Sequence, residues 1–422
     1  MFKEELVVDY FEKIREKKIE YVERELEIEE IRNKAITIVG PRRVGKTYFL
    51  LNRFFRDKNK SIYVDFESFE FSDVGPEDIL RLIAIYATRY SAKVENLFLD
   101  EIQALKEWPK AVRSLLNRGY NIFLSGSSSK LLPKELSTEL RGRSISYLLL
   151  PFSFTEFLRA RNVSIKELLS ITEIEMLKGK LEEYLVYGGY PEVVFSHNKE
   201  KILKEYFETI FYKDFVERHE IKSISTAKVI FEYLFQNNSK EVNIEKIKNF
   251  VESKINVKTK TTIYSYIDKI SDTLSVFFVD RFSQSVYKRK GWPKKVYVCD
   301  VGISSVLGFS KDYSKRMENV VFLELLRKTN KNPLMEIYYF KNHQQHEVDF
   351  VVKEGLNIVQ LIQVTYAGAR DEIEEREIKA LLKASDVLKC KNLLIVTWNY
   401  EDELKFNNKV IKCIPLWKWL IR

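Results

Sequence analysis

Eight consecutive residues combine the residue types and the spacing that bind a nucleotide phosphate. They are Gly40, Pro41, Arg42, Arg43, Val44, Gly45, Lys46 and Thr47, and Tyr48 follows them. The two glycines permit a tight backbone path on which successive N–H groups face the phosphates. Lys46 is expected to reach the β- and γ-phosphate oxygens, and the Thr47 hydroxyl is expected to bind Mg²⁺. The pattern therefore predicts a binding loop for ATP with Mg²⁺.

The elements beside this loop agree with that interpretation. Ala35 to Val39 form a short apolar run rich in β-branched residues, which is typical of a buried strand. A helical pattern opens at Thr47 and continues through Leu51. Strand, loop and helix in this order are the context that the motif requires.

Two adjacent acids, Asp100 and Glu101, follow a second apolar run that begins at Asn96. At the end of a parallel strand they would emerge at the edge of the sheet where phosphates bind. Asp100 would hold Mg²⁺, directly or through water, and Glu101 would orient and polarise the attacking water. The alternative is a helix N-cap, because acids also favour first turns. At this distance after the loop we prefer the catalytic interpretation.

Other polar residues follow two further predicted strands, Ser61 to Phe66 and Asn121 to Leu124. Ser127, in the serine-rich turn after the second of these, is a candidate sensor of the γ-phosphate. The same serines would equally well cap the next helix. Asp65 and Glu67, at the end of the first strand, are less favoured candidates for the metal site.

Two arginines, Arg141 and Arg143, follow on a charged helical stretch. An arginine supplied by a second subunit would stabilise the charge on the transferred phosphoryl group. The alternative is a pair of ordinary surface arginines.

Longer stretches of the sequence resemble a known family. In chain order they read ITIVGPRRVGKTYFL, LFLDEIQ, FLSGSSSKLLPKELSTELRGR, LLLPFSFTEFL, YLVYGGYPEVV, KEYFETIFYKDFVER, PKKVYVCDVGI and EVDFVV. The chain resembles, over nearly its whole length, the archaeal and bacterial AAA-type ATPases that carry an uncharacterised C-terminal domain. The resemblance implies ATP hydrolysis, and it favours Arg143, with Arg141 behind it, as the arginine acting in trans.

The sequence predicts an α/β protein of several domains. We expect a P-loop AAA-type domain with a parallel sheet at 1–164, a helical lid or connector at 165–235, a winged helix at 236–305 and a nuclease-like α/β domain at 306–422. Within the second segment, Gly188, Gly189, Tyr190 and Pro191 predict a helix stop followed by a turn.

The third segment is strongly basic, with 13 Lys and Arg against 7 Asp and Glu between residues 236 and 305. Two amphipathic helices, at 243–254 and 259–270, precede two β-rich runs at 274–283 and 295–299, which is the order of a winged helix. Its cations and aromatic rings suit phosphate contacts and base stacking. The candidate DNA-binding residues are Lys258, Lys260, Thr261, Tyr264, Lys288, Arg289, Lys290, Trp292, Lys294 and Lys295. The alternatives are a solvated basic hairpin or a module that contacts protein.

The last segment shows a helix followed by three strands, with an acid on the middle strand, as in the PD-(D/E)xK nuclease core. Asp349 takes the first position, but Gln363 and Thr365 stand where that pattern has Glu and Lys. A neutral amide is a poorer Mg²⁺ ligand, and threonine carries no positive charge. Glu318 or Glu324 could compensate in part. We therefore expect an inactive nuclease fold that binds DNA, oligomerises or holds a partner. Alternatively, Asp349 is a structural acid at the end of its strand.

The composition narrows the class of protein. The 422 residues are 45% hydrophobic and 31% charged, which is typical of globular domains. No apolar run reaches the roughly 18 residues that span a bilayer, and the acidic start does not read as a signal peptide, so we expect a cytoplasmic protein. The three cysteines form no CxxC pair. Few glycines and histidines with many Lys and Glu suggest a thermophile.

Three functions follow from these patterns. The leading hypothesis is Mg²⁺-dependent ATP hydrolysis coupled to the binding or remodelling of duplex or branched DNA by a homo-oligomer, with a ring as one form. The second is an ATP-dependent oligomerising switch in signalling or defence. The third is an ATP-controlled nuclease.

Overall fold

The computed structural model describes residues 3–126, 138–254, 260–285, 292–308, 312–406 and 408–421. The chain divides into two compact units, Met1–Leu150 and Pro151–Arg422. The sequence places its first domain boundary at 164, whereas the structure divides after Leu150. The division of the remainder into three segments stays a prediction.

The first unit is built on a five-stranded sheet with the order β2-β3-β4-β1-β5, and all of its strand pairs are parallel. Its strands are β1 (Ala35–Val39), β2 (Ser61–Asp65), β3 (Asn96–Asp100), β4 (Asn121–Gly126) and β5 (Ser144–Leu148). Its helices are α1 (Glu4–Glu16), α2 (Lys46–Arg56), α3 (Ile79–Tyr90) and α4 (Trp108–Asn117). The prediction of an N-terminal parallel sheet is therefore confirmed.

The strands of this sheet are apolar on both faces because helices cover a parallel sheet on both sides. All five residues of β1 are buried. The register pairs Val39 with Gly126 and Asp65 with Asp100. Strands β1, β2, β3 and β4 thus end at one edge, and the chain segments that follow them meet there.

The second unit begins with helices α5 (Phe154–Ala160), α6 (Ile171–Tyr187), α7 (Pro191–Phe195) and α8 (Lys199–Thr209), followed by a π-helical stretch at Ile210–Glu217. The helix stop predicted at residues 188–191 is confirmed, because α6 ends at Tyr187 and α7 begins at Pro191. Gly188 has a φ of 74°, in the region that favours glycine.

A three-stranded antiparallel sheet with the order β6-β8-β7 follows. Its elements in chain order are α9 (Ile224–Gln236), β6 (Lys240–Val242), α10 (Ile244–Lys254), α11 (Lys260–Ser271), β7 (Val276–Asp280) and β8 (Lys294–Val298). The two helices and two β-rich runs predicted from the sequence are present. The short strand β6 was not predicted.

The chain ends in a six-stranded sheet with the order β13-β14-β12-β11-β10-β9. Its elements, which follow helix α12 (Val301–Val306), are α13 (Tyr313–Lys331), β9 (Met335–Lys341), β10 (Glu347–Glu354), β11 (Asn357–Val364), α14 (Glu375–Leu388), β12 (Leu393–Thr397), β13 (Asp402–Phe406), β14 (Lys409–Pro415) and α15 (Leu416–Leu420). The predicted order of one helix and three strands corresponds to α13, β9, β10 and β11. Across the described residues, no helix is long and apolar enough to span a membrane.

Candidate nucleotide-binding site

The loop between β1 and α2 follows a path that requires glycine at two positions. A Cβ atom added at Gly40 would lie 2.1 Å from the backbone oxygen of Leu149, so the neighbouring segment approaches too closely for any side chain. Gly45 has a φ of 96° and serves as the N-cap of α2. The loop therefore delivers Lys46 and Thr47 to the first turn of a helix, where backbone N–H groups favour an anion.

Lys46 is buried, and its ammonium group lies across the loop. The Nζ atom donates hydrogen bonds to the carbonyl oxygens of Gly40, at 3.0 Å, and Pro41, at 2.9 Å. These carbonyl oxygens are neutral acceptors, whereas phosphate oxygens carry negative charge. A bond between an ammonium and a charged oxygen is stronger than one between an ammonium and a carbonyl.

Arg24 supports the loop from a segment in which the sequence suggested no function. Its guanidinium is buried and donates to the backbone oxygens of Val44, at 2.9 Å, and Leu150, at 2.6 Å. It joins the phosphate-binding loop to the segment after β5. No local pattern marks this arginine among the many charged residues around it.

Asp100 lies at the end of β3 and is only 1% exposed. Its carboxylate accepts hydrogen bonds from the Tyr63 hydroxyl at 2.7 Å, from the Glu101 backbone N–H at 3.1 Å and from the Ser125 hydroxyl. Three donors from β2, β4 and the next residue therefore fix this acid. Burial, followed by the charge of Asp100, raises the pKa of Tyr63 well above its usual value. The sequence identified Asp100 but neither of its two side-chain donors.

Glu101 has a backbone φ of 46°, which is uncommon for a residue with a side chain. Its carboxylate oxygen Oε2 accepts a hydrogen bond from Gln103 Nε2. The other polar atom of that amide, Oε1, is buried and has no hydrogen-bond partner among the described residues. Gln103 thus fixes the orientation of Glu101, a role that the sequence analysis missed although both residues lie in one short motif.

Asp65, at the end of β2, lies beside these acids. Burial, with a further contribution from the charge of Asp100, raises its pKa to about 6. Its Oδ1 accepts a hydrogen bond from the Glu67 backbone N–H at 3.0 Å. The structure therefore brings Asp65 to the same edge of the sheet as Asp100, and it leaves a metal role for Asp65 or Glu67 untested.

The oxygen donors at this edge suit Mg²⁺. The Asp100 carboxylate and the Thr47 hydroxyl are hard ligands of the kind this ion prefers, and Mg²⁺ usually keeps waters and phosphate oxygens as its remaining ligands. In the part of the chain that is described, no cluster of three or more His, Cys, Asp or Glu side chains is placed to hold a metal by itself. The donor set fits a metal that arrives with a nucleotide.

Arg141 and Arg143 lie at the opposite edge of the sheet. The carbonyl oxygen of Arg143 accepts a hydrogen bond of 2.9 Å from the N–H of Ala35, the first residue of β1. The length of β1, at least about 13 Å, separates this edge from the loop. Both arginines are exposed, and Arg143 donates to Asn117 at 2.6 Å. Neither lies near the loop of its own chain.

Several predicted residues lie outside the described part of the chain. They are Ser127, Lys258, Lys288, Arg289 and Lys290, and only the backbone of Lys260 is described. Among the other DNA-binding candidates, Thr261 is exposed and Tyr264 is 55% exposed on α11.

The remaining candidates on the hairpin already have partners. The Arg281 guanidinium lies 4.1 Å from the ring centre of Trp292, and Lys294 forms an ion pair of 3.0 Å with Asp280. The prediction that Lys295 contacts DNA is corrected by the structure. This lysine is 2% exposed, and its ammonium is bound by three carboxylates. A lysine buried in this way cannot contact a DNA backbone.

The three residues of the nuclease-like pattern come together in the six-stranded sheet, and all are buried. Asp349 accepts a hydrogen bond from the Val364 N–H at 2.9 Å, and its own N–H donates to Gln363 Oε1 at 3.4 Å. Thr365 follows at the end of β11. Of the two acids that could compensate, Glu318 shares Lys295 with Asp349, whereas Glu324 is paired with Arg327 at 3.3 Å.

Comparison with known protein families agrees with the geometry of the first unit. Residues 32–158 match the model described as AAA domain. Residues 178–313 and 313–419 match two models described as domains of unknown function, DUF8612 and DUF4143. The uncharacterized protein MJ1544 of Methanocaldococcus jannaschii is 38% identical over 99% of this chain and 94% of its own length. The chain belongs to the family of that protein.

A second similar protein comes from Haemophilus influenzae. This uncharacterized protein is 29% identical over 91% of the chain and 94% of its own length. The predicted AAA-type domain is confirmed by the family match. The winged-helix and nuclease-like interpretations fall on the two regions of unknown function and remain predictions.

Solved structures give weaker matches. AMPPCP-bound DnaA from Aquifex aeolicus is 17% identical, covers 64% of this chain and 86% of its own, and has a TM-score of 0.22. The RuvB Holliday junction branch migration motor of Thermotoga maritima is 14% identical, covers 61% and 87%, and has a TM-score of 0.27. At such low TM-scores these superpositions carry no weight for the function.

Proposed function

We propose that this protein is an Mg²⁺-dependent ATPase whose nucleotide state controls its engagement of DNA. The observation that carries the ATPase proposal is the buried carboxylate of Asp100, held by three hydrogen-bond donors, with Glu101 directly after it. One strand, β4, separates this acid from the strand that leads into the Lys46 loop, so the two lie about 10 Å apart across the sheet edge.

Each side chain then has a defined task. Lys46 exchanges the carbonyls of Gly40 and Pro41 for phosphate oxygens, and Thr47 and Asp100 hold Mg²⁺. The ion, when bound, neutralises negative charge on the phosphates. Glu101 orients the attacking water and accepts its proton, and Gln103 keeps the Glu101 carboxylate in one orientation. The predicted sensor role of Ser127 stays a part of this proposal.

The position of Arg143 favours a homo-oligomer. This arginine lies at the far edge of the sheet from its own loop, so it can reach a phosphate only in a second subunit, with Arg141 as its neighbour. Completion of the site by a second chain predicts complementation. A mixture of Lys46→Ala, which keeps Arg143, and Arg143→Ala, which keeps Lys46, should hydrolyse ATP faster than either variant alone. If the ATPase rate of the mixture is only the sum of the rates of its two components, a contribution of Arg143 in trans would be excluded.

The proposal of DNA engagement rests on residues 236–305. Helix α11 exposes Thr261 and Tyr264, and the antiparallel sheet follows it in the order expected of a winged helix. The surplus of cations in this segment supports an anionic partner. With Lys295 buried, the proposal depends mainly on Lys258, Lys260 and the basic residues 288–290.

The test measures phosphate release from ATP with and without single-stranded, duplex and branched DNA. Lys46→Ala should abolish hydrolysis, and Glu101→Gln should bind ATP without turnover. Normal turnover by Glu101→Gln would refute the assignment of the base. DNA-stimulated turnover supports coupling, whereas slow turnover that ignores DNA favours the oligomerising switch.

DNA binding itself is tested at the basic residues 288–290. Exchange of Lys288, Arg289 and Lys290 for Glu should weaken binding and flatten its dependence on salt. A variant with Glu at the exposed Lys201, Lys204 and Lys213, for which no DNA contact is proposed, carries the same change of charge and serves as the control. Equal losses in both variants would show that only net charge matters.

We further propose that residues 306–422 do not cut DNA, because Gln363 and Thr365 replace a carboxylate and an amine of the nuclease pattern. The fold in this region would instead hold DNA or a partner. Metal-dependent cleavage that is abolished by Asp349→Ala would establish the ATP-controlled nuclease in its place.

A further inference from the structure

A buried ammonium group lies at the centre of an acidic pocket in the second unit. Lys295 Nζ lies 2.8 Å from Asp349 Oδ1, 2.8 Å from Glu347 Oε1 and 3.0 Å from Glu318 Oε1. The lysine comes from β8, whereas its partners come from α13 and β10. One cation therefore joins the three-stranded sheet to the six-stranded sheet.

The carboxylates of the pocket are fixed by further donors. Tyr297, two residues after Lys295 on the same face of β8, donates to Glu318 Oε1 at 2.7 Å. The Val364 N–H holds the second oxygen of Asp349, and Lys341 contacts Glu347 at 3.0 Å. These bonds keep the three acids aimed at one point even though like charges repel.

With the ammonium in place the three carboxylates are not spaced to hold a metal ion, but their oxygen donors are of the type that a divalent cation selects. Carboxylate oxygens from separate elements, held by bonds to a surrounding shell, are the donors that Mg²⁺ and Mn²⁺ select. An ammonium group offers one positive charge and three N–H donors, which match three carboxylate oxygens at hydrogen-bond distance. The contacts of Lys295 near 2.8 Å are those of an ammonium, and a metal would draw the oxygens in to about 2.0–2.2 Å.

We propose that Lys295 is an internal counter-ion that takes the place of a divalent cation, so that this pocket is closed to metal in the native protein. The inference rests on the contacts of Lys295 and is independent of the proposed ATPase. It also gives a physical reason for the neutral residues nearby. With an ammonium in the pocket, no second lysine is needed at Thr365. The Gln363 side-chain oxygen is then available to accept a hydrogen bond from the backbone N–H of Asp349.

The proposal predicts that loss of the ammonium creates a metal site. In Lys295→Ala the three carboxylates keep their other donors but lose their shared cation, and the truncated side chain leaves space. An unpaired buried charge is strongly destabilising, so the variant should unfold at a lower temperature. Mn²⁺ should bind there and recover part of the loss, because a ligand that binds only the folded state stabilises it.

A purely structural ion pair predicts the loss of stability but no gain of metal. The deciding measurement is therefore Mn²⁺ binding, monitored by electron paramagnetic resonance on nucleotide-free, full-length protein. Asp100→Asn in every sample keeps Mn²⁺ from the nucleotide site. We expect saturable Mn²⁺ binding by Lys295→Ala and loss of that binding when Asp349→Asn is added. The protein that retains Lys295 should bind no Mn²⁺. Lys294→Ala, which removes the half-buried neighbouring lysine on the same strand, should also show none.

Two results would overturn the proposal. One is Mn²⁺ binding by the protein with Lys295 intact that Asp349→Asn abolishes, since the pocket would then be open in the native state. The other is a folded Lys295→Ala protein without saturable binding. If this variant does not fold, Lys295→Gln replaces it, because the amide retains a hydrogen-bond donor without charge. Its unfolding temperature should rise with Mn²⁺, and an unchanged temperature would contradict the proposal.

Discussion

The hydrogen bond from Tyr63 to Asp100 provides a quantitative test of how the nucleotide site is built. Tyr63→Phe removes one hydroxyl and leaves the ring, which packs against Phe54 at a centroid distance of 6.2 Å. The Asp100 carboxylate would retain two of its three donors while staying buried. A hydrogen bond to a charged group contributes about 1.5–3 kcal/mol, so the free energy of unfolding should fall by about that amount.

The assay is urea unfolding of wild type, Tyr63→Phe, Asp100→Asn and the double variant. The transition that ATP stabilises identifies the N-terminal unit. If the loss arises from the bond, Tyr63→Phe should cost much less in the Asp100→Asn background, and the coupling energy should approach the single-variant loss. A loss below about 0.5 kcal/mol, or the same loss in both backgrounds, would refute the view that Tyr63 stabilises a buried charge.

The remaining predictions concern three other residues. Gln103→Ala should lower kcat roughly tenfold at unchanged ATP affinity, because it removes a hydrogen bond that orients the Glu101 carboxylate; a parallel loss of affinity would point to a general defect. Gly189→Ala would place a Cβ 2.3 Å from the Phe152 oxygen and should cost at least about 2 kcal/mol in thermal unfolding. Its control, Gly179→Ala, meets no atom within 4 Å on α6 and should stabilise by about 1 kcal/mol. Burial raises the pKa of Asp300 to about 7, so the folded state holds a proton that the unfolded chain has lost. Stability should thus fall as the pH rises from about 4 to 7 and then level off. Asp300→Asn should remove the contribution of one proton to that slope, whereas Asp65, whose pKa is also raised, should keep its own part. A wild-type slope retained in the variant would assign it to other groups.

The parallel sheet and the nucleotide site were largely predictable, because both follow from local patterns. An apolar β-branched run with a glycine loop, and a second run ending in Asp-Glu, specify where Lys46 and Asp100 emerge. The structure adds contacts that cross between strands. Ser125 and Tyr63 reach Asp100 from β4 and β2, and strand order cannot be read from spacing along the chain.

The same limit explains why Arg24 and Gln103 were missed. Arg24 acts through backbone oxygens that lie 20 and 126 residues away in sequence, so no window of the sequence contains the contact. Gln103 lies close to Glu101, yet only the left-handed turn at Glu101 brings the two side chains together. Contacts that depend on a backbone conformation appear only once that conformation is known.

Lys295 shows how a charge can mislead when its solvation is unknown. Residue type alone placed Lys294 and Lys295 together as DNA contacts, although neighbouring residues of a strand point to opposite faces. Alternation groups Lys295 with Tyr297, and both indeed contact Glu318. Its positive charge is compensated inside the protein and contributes little to a surface field. The electrostatic case for DNA is therefore concentrated in the helix that begins at Lys260 and in the basic residues 288–290. This makes the charge reversal at residues 288–290, compared with its control, the measurement on which that part of the function depends.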